Sequence, residues 1–143
     1  MAIDIIDQYN HFSNNELNYF KSVLKKLYKL LDIKKTNELC VTFTNDRDIR
    51  ALNREYRSID RATDVLSFTQ DGPAVNMLGD IVISFQTASR NSVRYKRTLN
   101  DEILHLIVHG VLHLIGYDHK KKTDRDVMRE KEEKLLGKIK SEN

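Results

Sequence analysis

The sequence contains few of the residues that constrain a chain covalently, with one cysteine and one proline (Pro73) among its 143 residues. A single cysteine excludes an internal disulfide bond, so we expect the protein in a reducing compartment, the cytoplasm. The first residues carry acids where a secretory signal would carry lysines, and no apolar run approaches the length of a membrane span. We therefore expect no membrane association. No repeat, linker or low-complexity tract divides the chain.

The overall composition is typical of a folded globular domain. Hydrophobic residues make up 40% of the chain and charged residues 31%. A chain of 143 residues can bury a core of its own, so we expect one domain over residues 1–143. The net charge of +3 is compatible with a nucleic-acid partner but does not require one.

Hydrophobic periodicity predicts an α+β domain in which a small mixed sheet of about four strands is backed by helices. A capping box from Ser13 to Glu16 predicts the start of the first helix. The helix predicted over 100–115 is apolar almost all round, so we expect it to be central and buried. In chain order we predict a strand over 2–7, a helix to about residue 31, a strand over 38–44, a helix over 46–56, strands over 63–68 and 78–85 with a loop between them, a polar and weakly helical segment over 86–97, the helix over 100–115, and a charged helix that begins near residue 123 and packs on the outside.

Three of the five histidines lie in one segment of eleven residues, His109-Gly-Val-Leu-His-Leu-Ile-Gly-Tyr-Asp-His119. His109 and His113 are one helical turn apart, so their rings leave the same face of the central helix. Gly116 can end that helix in a left-handed conformation, and the chain could then bring His119 toward the other two. Three converging imidazoles form a three-ligand site for zinc or a related metal, with a fourth position for water or substrate.

The spacing of this motif matches the metzincin pattern, in which a glutamate follows the first histidine and acts as the general base. Here that position is Gly110, and glycine cannot move protons. The scaffold therefore resembles that of a zinc hydrolase without the peptidase base. Gly110 could instead allow a bulky phosphodiester to approach the metal, or it could allow close packing of the helix.

The other polar residues around the motif leave several interpretations open. A histidine on an apolar helix face is more often a core residue than a ligand, but three at this spacing favour a metal site. His105 lies one turn before His109 and could be a hydrogen-bond partner of a ligand, an alternative ligand or buried packing. Asp118 could orient a metal-bound histidine or cap the turn.

The helix predicted over 46–56 has an apolar stripe of Ile49, Leu52 and Tyr56, and arginines on another face. A stripe of arginines could bind phosphates along a nucleic acid. It could equally be a solvated face whose charge is dispersed by nearby acids. The stripe consists of Arg47, Arg50, Arg54, Arg57 and Arg61, and a second basic run, equally open to both interpretations, consists of Arg90, Arg94, Lys96 and Arg97.

Three segments resemble the YbeY family of bacterial rRNA maturation factors, which are single-strand-specific endoribonucleases. The histidine motif with its Gly-Tyr-Asp resembles the family signature. Leu52-Asn-Arg-Glu-Tyr-Arg57 followed by Thr63-Asp-Val-Leu-Ser-Phe68 resembles the central block, and Leu78-Gly-Asp-Ile-Val-Ile83 resembles the next strand. Thr69 departs from the family, which commonly has proline there.

The resemblance implies one zinc ion per chain, bound by His109, His113 and His119. It also implies that Arg57 is needed for activity, so we expect Arg57 and His113 to be catalytic residues. RNA, as precursor rRNA and the ribosome, would be the partner. The implied role is maturation of the 3′ end of 16S rRNA and ribosome quality control.

The sequence leaves open the nucleophile of the reaction and two rival functions. The nucleophile could be a water molecule activated by the metal or the RNA 2′-hydroxyl. A rival hydrolase acting on peptides or small molecules would need a carboxylate near the metal, and Glu102 or Asp118 is the nearest in sequence. A second rival is an RNA-binding or ribosome-associated module in which zinc only stabilises the fold.

Overall fold

A computed structural model describes residues 2–69, 77–117 and 121–141. Its elements follow the predicted order, in which two strand–helix pairs are followed by two strands and then three helices. Their bounds are β1 Ile3–Asp7, α1 Asn14–Leu30, β2 Glu38–Thr44, α2 Asp46–Arg57, β3 Val65–Phe68, β4 Met77–Ser84, α3 Phe85–Arg94, α4 Leu99–Leu114 and α5 Lys122–Ser141.

The four strands form one mixed sheet in the order β1-β2-β4-β3. β1, β2 and β4 are parallel, and β3 runs antiparallel to β4 at one edge. The register of the β3–β4 pair places Ser67 opposite Ile81 and Phe68 opposite Asp80. The predicted α+β class and mixed sheet of about four strands are confirmed.

Helix ends follow the local chemistry of the sequence. Ser13 and Glu16 form the predicted capping box at the start of α1. α2 begins after Asn45, whose side chain accepts from the Asp48 amide, and ends at Ser58 in the left-handed conformation, with φ 58°. The segment predicted to be weakly helical forms most of the regular helix α3, which is capped by the Ser84 hydroxyl, the acceptor of a hydrogen bond from the Thr87 amide. Phe85 therefore belongs to α3 and not to the preceding strand.

Two apolar clusters cover the two faces of the sheet. The larger one joins strand residues such as Val41 and Ile83 to α1, α4 and α5. The smaller one lies under α2 and contains Ile49, Leu66 and Val82. α4 contacts α1, α3, α5, β3 and β4, so it is the central buried helix that the sequence predicts. A site carried by α4 is thus held on the most enclosed element of the fold.

For the outer helices, one prediction needs correction and one is confirmed. Tyr56 is 61% exposed, so it is not part of the apolar stripe that anchors α2. α5 packs on the outside, as predicted, but it buries Met128, Glu132, Leu135 and Ile139 and contacts both α1 and α4. Among residues 2–69, 77–117 and 121–141, no helix is long and apolar enough to cross a membrane.

Candidate active site

His109 and His113 lie on the last turns of α4. Their ring centroids are 4.9 Å apart, with the ring planes inclined at 69°, and both residues line one cavity of about 310 Å³. The spacing of four residues therefore places both rings on one face, as the sequence predicts. Two imidazoles this close can share a metal ion.

Gly116 ends the histidine helix as predicted. It has φ 107°, its amide donates to the His113 carbonyl (3.1 Å), and the Tyr117 amide donates to the Leu112 carbonyl (3.0 Å). These two bonds define a Schellman motif, which needs a left-handed residue at this position. Asp118 and His119 lie outside the described residues, so convergence of the third histidine remains a prediction. Within the described ranges, no group of three or more histidine, cysteine or acidic side chains is placed to hold a metal.

Glu132 of α5 is a site residue that the sequence analysis missed. It is 5% exposed, and its Oε1 lies 2.5 Å from Nδ1 of His109. When Nδ1–H donates to this carboxylate, the neutral imidazole carries its lone pair on Nε2. A carboxylate behind a histidine in this way fixes the ring orientation and raises its basicity toward a metal.

The same carboxylate lies near His105. The distance from Oε2 of Glu132 to Nε2 of His105 is 3.7 Å. Burial lowers the pKa of His105 below its ordinary value of 6.5, although the Glu132 charge opposes this shift. His105 therefore lies beside the carboxylate that contacts His109, and the three roles open to it remain predictions.

Arg57 reaches the same cavity from α2. It is the last residue of that helix, and its Nη2 donates to the Ser67 carbonyl of β3 at 2.6 Å. Its guanidinium carbon lies 5.4 Å from the centre of the Phe68 ring. The cavity lined by His109 and His113 is also lined by Arg57. The two residues predicted to be catalytic, Arg57 and His113, are therefore neighbours in space, although 56 positions separate them in the sequence.

The arginine stripe divides into two groups. Three members are paired with acids on the surface, and Arg57 and Arg61 line the cavity. The solvated-face interpretation therefore holds for the first group, and a phosphate-binding role is open to the second. The surface pairs are Arg47 with Asp48 (3.4 Å), Arg50 with Asp60 (2.9 Å) and Arg54 with Asp60 (3.9 Å).

Two members of the second basic run, Arg90 and Arg97, form ion pairs with acids. Arg97 donates to the buried Glu102 at 2.8 Å, and Arg90 donates to Asp46 at 2.7 Å. Burial disfavours the Asp46 carboxylate, but hydrogen bonds from Ser84, Thr87 and Arg90 outweigh it, and the pKa of Asp46 is lowered from its ordinary value of 3.8. The Arg90 pair links α3 to α2, and the Arg97 pair links the α3–α4 connection to α4; none of these four residues lines the cavity.

Gly110 faces the sheet. A Cβ built on it would lie 2.9 Å from Cδ1 and 3.0 Å from Cγ2 of Ile81, and the Ser67 hydroxyl donates to its carbonyl at 3.4 Å. Of the two interpretations of this glycine, the structure favours close packing of the helix. That close approach brings α4 against β3 and β4, and so brings the histidines near Arg57.

One carboxylate does line the cavity, although it is not among those nearest to the histidine motif in the sequence. Asp64 lies in the cavity wall with the two histidines, and its Oδ2 accepts from Asn91 Nδ2 at 3.3 Å. Glu102, one of the two candidates for the carboxylate of the rival hydrolase, is instead buried against Arg97. Asp64 immediately precedes β3, which explains its place at the cavity edge.

Comparisons with known proteins find relatives over most of the chain. The model of the family described as Endoribonuclease YbeY matches residues 3–140. The chain is 43% identical over 133 residues to an Endoribonuclease YbeY of Desulforamulus reducens, with 87% of each chain covered. It is 38% identical over 138 residues to that of Acholeplasma laidlawii, with 96% of each covered.

A solved structure shares the fold. The solution structure of TM1509 from Thermotoga maritima superposes with a TM-score of 0.70 at 28% identity, covering 98% of this chain and 90% of that one. The family match over nearly the whole chain and the level of identity to the relatives point to the same family as the histidine motif. The chain therefore belongs to the YbeY endoribonuclease family.

Proposed function

We propose that residues 1–143 form one metal-dependent endoribonuclease domain that cleaves single-stranded RNA during rRNA processing. The observation that carries this proposal is the shared cavity of Arg57, His109 and His113. It combines a cation that can bind a phosphate with imidazoles that can hold a metal, and each can favour cleavage of a phosphodiester. Family membership supplies the substrate class.

The proposed metal ligands are His109, His113 and His119, with one zinc ion per chain. The donor set fits such an ion, since neutral imidazole nitrogen is a preferred ligand of zinc. The 2.5 Å contact between Glu132 and His109 Nδ1 is the arrangement expected behind a metal-binding histidine. A bound Zn²⁺ supplies Lewis acidity, which polarises a phosphoryl oxygen and lowers the pKa of water.

The chain's own groups would position the RNA. The Ser67 carbonyl accepts one N–H of Arg57, and a guanidinium has five N–H donors, so further donors can bind a phosphate. A fixed guanidinium favours the negative charge that grows on phosphoryl oxygens in the transition state. Analysis of the product ends identifies the nucleophile, because a 2′,3′-cyclic phosphate would contradict direct attack by water.

The cellular setting is also part of the proposal. Precursor rRNA and the ribosome are the proposed partners, the 3′ end of 16S rRNA is the proposed substrate, and the cytoplasm is the proposed location. The lone cysteine and the family resemblance support this setting.

The test is cleavage of a single-stranded RNA that carries a 16S rRNA 3′ precursor sequence. We expect Arg57→Ala and His113→Ala each to lower the rate about a hundredfold or more. Arg54→Ala is the matched control, because Arg54 lies one turn earlier on α2 and pairs with Asp60 on the surface, so its rate should stay within about twofold of wild type.

Three outcomes would contradict the proposal. Cleavage that persists in both Arg57→Ala and His113→Ala would come from another nuclease. An equal loss in Arg54→Ala would show that α2 contributes general charge rather than a specific contact. Binding of the RNA without any turnover by the wild-type chain would favour the RNA-binding module.

A further inference from the structure

Tyr56 is a large aromatic side chain that packing does not explain. It is 61% exposed at the end of α2, although the neighbouring turns bury Ile49 and Asn53. Its ring meets the half-buried Phe68 edge to face, with centroids 5.4 Å apart and planes inclined at 65°. Phe68 packs on the small cluster under α2, so Tyr56 contacts a ring that is held in place while its own ring remains exposed to solvent.

This aromatic pair adjoins the candidate active site. A second cavity of about 310 Å³ is lined by Phe68 and Thr69 together with Arg57 and His113. Arg57 and His113 also line the first cavity. The Arg57 guanidinium lies over the Phe68 ring, so a phosphate bound there would lie within one nucleotide of the aromatic pair.

We propose that Tyr56 and Phe68 form a stacking subsite for an unpaired nucleobase of the RNA, next to the phosphate bound by Arg57. The inference rests on the proposed function and gives it a specificity element. Aromatic rings stack on the faces of bases, and every base offers such a face whatever its sequence. In a duplex those faces are covered by neighbouring bases, so the subsite admits only unpaired strands.

The test measures RNA binding without turnover. A fluorescent single-stranded oligoribonucleotide is titrated with full-length protein carrying His113→Ala, which removes a proposed catalytic group, and anisotropy gives Kd. Adding Tyr56→Ala should raise Kd at least about fivefold, the lower end of the effect of losing one base–aromatic stack. Tyr56→Phe keeps the ring and should bind as its parent does.

Tyr95→Ala is the matched control, because Tyr95 is 53% exposed at the end of α3 and its ring contacts Arg97 instead of the cavity residue Phe68, so its loss should leave Kd unchanged. An abasic position in the RNA should remove the effect of Tyr56→Ala when it coincides with the stacked base, and scanning that position along the strand locates the base. Circular dichroism melting curves confirm that each variant is folded.

The subsite is refuted if Tyr56→Ala binds like its parent, if Tyr95→Ala weakens binding equally, or if Tyr56→Ala weakens binding of a blunt duplex as much as binding of the single strand. The last result would show that the tyrosine contacts the backbone. These outcomes are separate from the test of the proposed function. A wild-type chain that never cleaves would refute the nuclease, whereas the binding experiment reports on Tyr56 whether or not cleavage occurs.

Discussion

Replacing Glu132 should weaken metal binding without unfolding the protein. The carboxylate is buried on α5 and lies 2.5 Å from His109 Nδ1, so Glu132→Ala removes the group that orients this ring and fixes its proton. Loss of such a partner typically lowers metal affinity about 10–100-fold, which corresponds to about 1.4–2.8 kcal/mol. We expect Glu132→Ala near the upper end of this range.

Glu132→Gln separates geometry from charge. Its amide oxygen can still accept from Nδ1–H of His109, so ring orientation is kept while the negative charge is lost. We therefore expect a loss near tenfold. Glu133→Gln is the control, since it removes the same charge from the adjacent, exposed position of α5 and should leave zinc affinity unchanged.

The assay is a zinc titration against a chromophoric chelator, with circular dichroism to verify folding. The reasoning is refuted if folded Glu132→Ala binds zinc as tightly as wild type, or if Glu133→Gln loses as much affinity. A wild-type chain that binds no zinc would instead refute the proposed metal ligands. Because affinity is measured directly, the result does not depend on cleavage.

Two further predictions concern stability. Gly110→Ala should lower the free energy of unfolding by about 1 kcal/mol in urea denaturation, because overpacking against Ile81 costs about 1–3 kcal/mol and helix propensity returns about 1 kcal/mol. Gly137→Ala is the control and should raise the free energy of unfolding, because beyond the local helix backbone no atom lies within 4 Å of the new Cβ. A gain in stability at both positions would contradict the packing argument. Asp46 has a lowered pKa, so the unfolded state binds more protons and stability rises with pH. In urea unfolding, the stability difference between wild type and Asp46→Asn should therefore be constant above about pH 5. It should shrink as the pH falls below 3.8 and through the lowered pKa of Asp46. A stability difference that is independent of pH would show that the Asp46 charge contributes nothing.

Local patterns predicted the parts of the site that depend on one helix. The four-residue spacing of His109 and His113 places their rings together because helical geometry alone determines it. Gly116 ends the helix for a reason that is equally local. Tertiary packing determines the order of strands in the sheet and the proximity of Arg57 to His113. The spacing of residues within a helix carries no information about these two features.

Glu132 was missed because it lies in a helix with many charged residues. A signal was nevertheless present, since Met128, Glu132, Leu135 and Ile139 lie at offsets 0, +4, +7 and +11, which is one helical face. A carboxylate in the middle of an apolar face must have a partner, because burying an unpaired charge is costly. Tyr56 was wrongly assigned to the apolar stripe of α2 because its spacing continues that of Ile49 and Leu52, although the apolar face of the helix ends one turn before it.

The arginine stripe shows a further limit of helical periodicity. Its pattern is real, but Asp60, which pairs with Arg50 and Arg54, lies beyond the end of α2. The left-handed residue Ser58 turns the chain back so that this acid meets the helix. Charge on a helix face can therefore be neutralised by residues that the helix itself does not contain.

The parts of the proposed metal site depend on different amounts of the fold. His109 and His113 become neighbours as soon as α4 forms, whereas Glu132 reaches His109 across 23 residues only after α5 has docked. A chain with α4 formed and α5 undocked would hold zinc with an unoriented ligand, and so more weakly. A ligand that binds the complete fold more tightly stabilises it by mass action. Zinc should therefore slow hydrogen exchange throughout α5, a helix that supplies none of the proposed metal ligands.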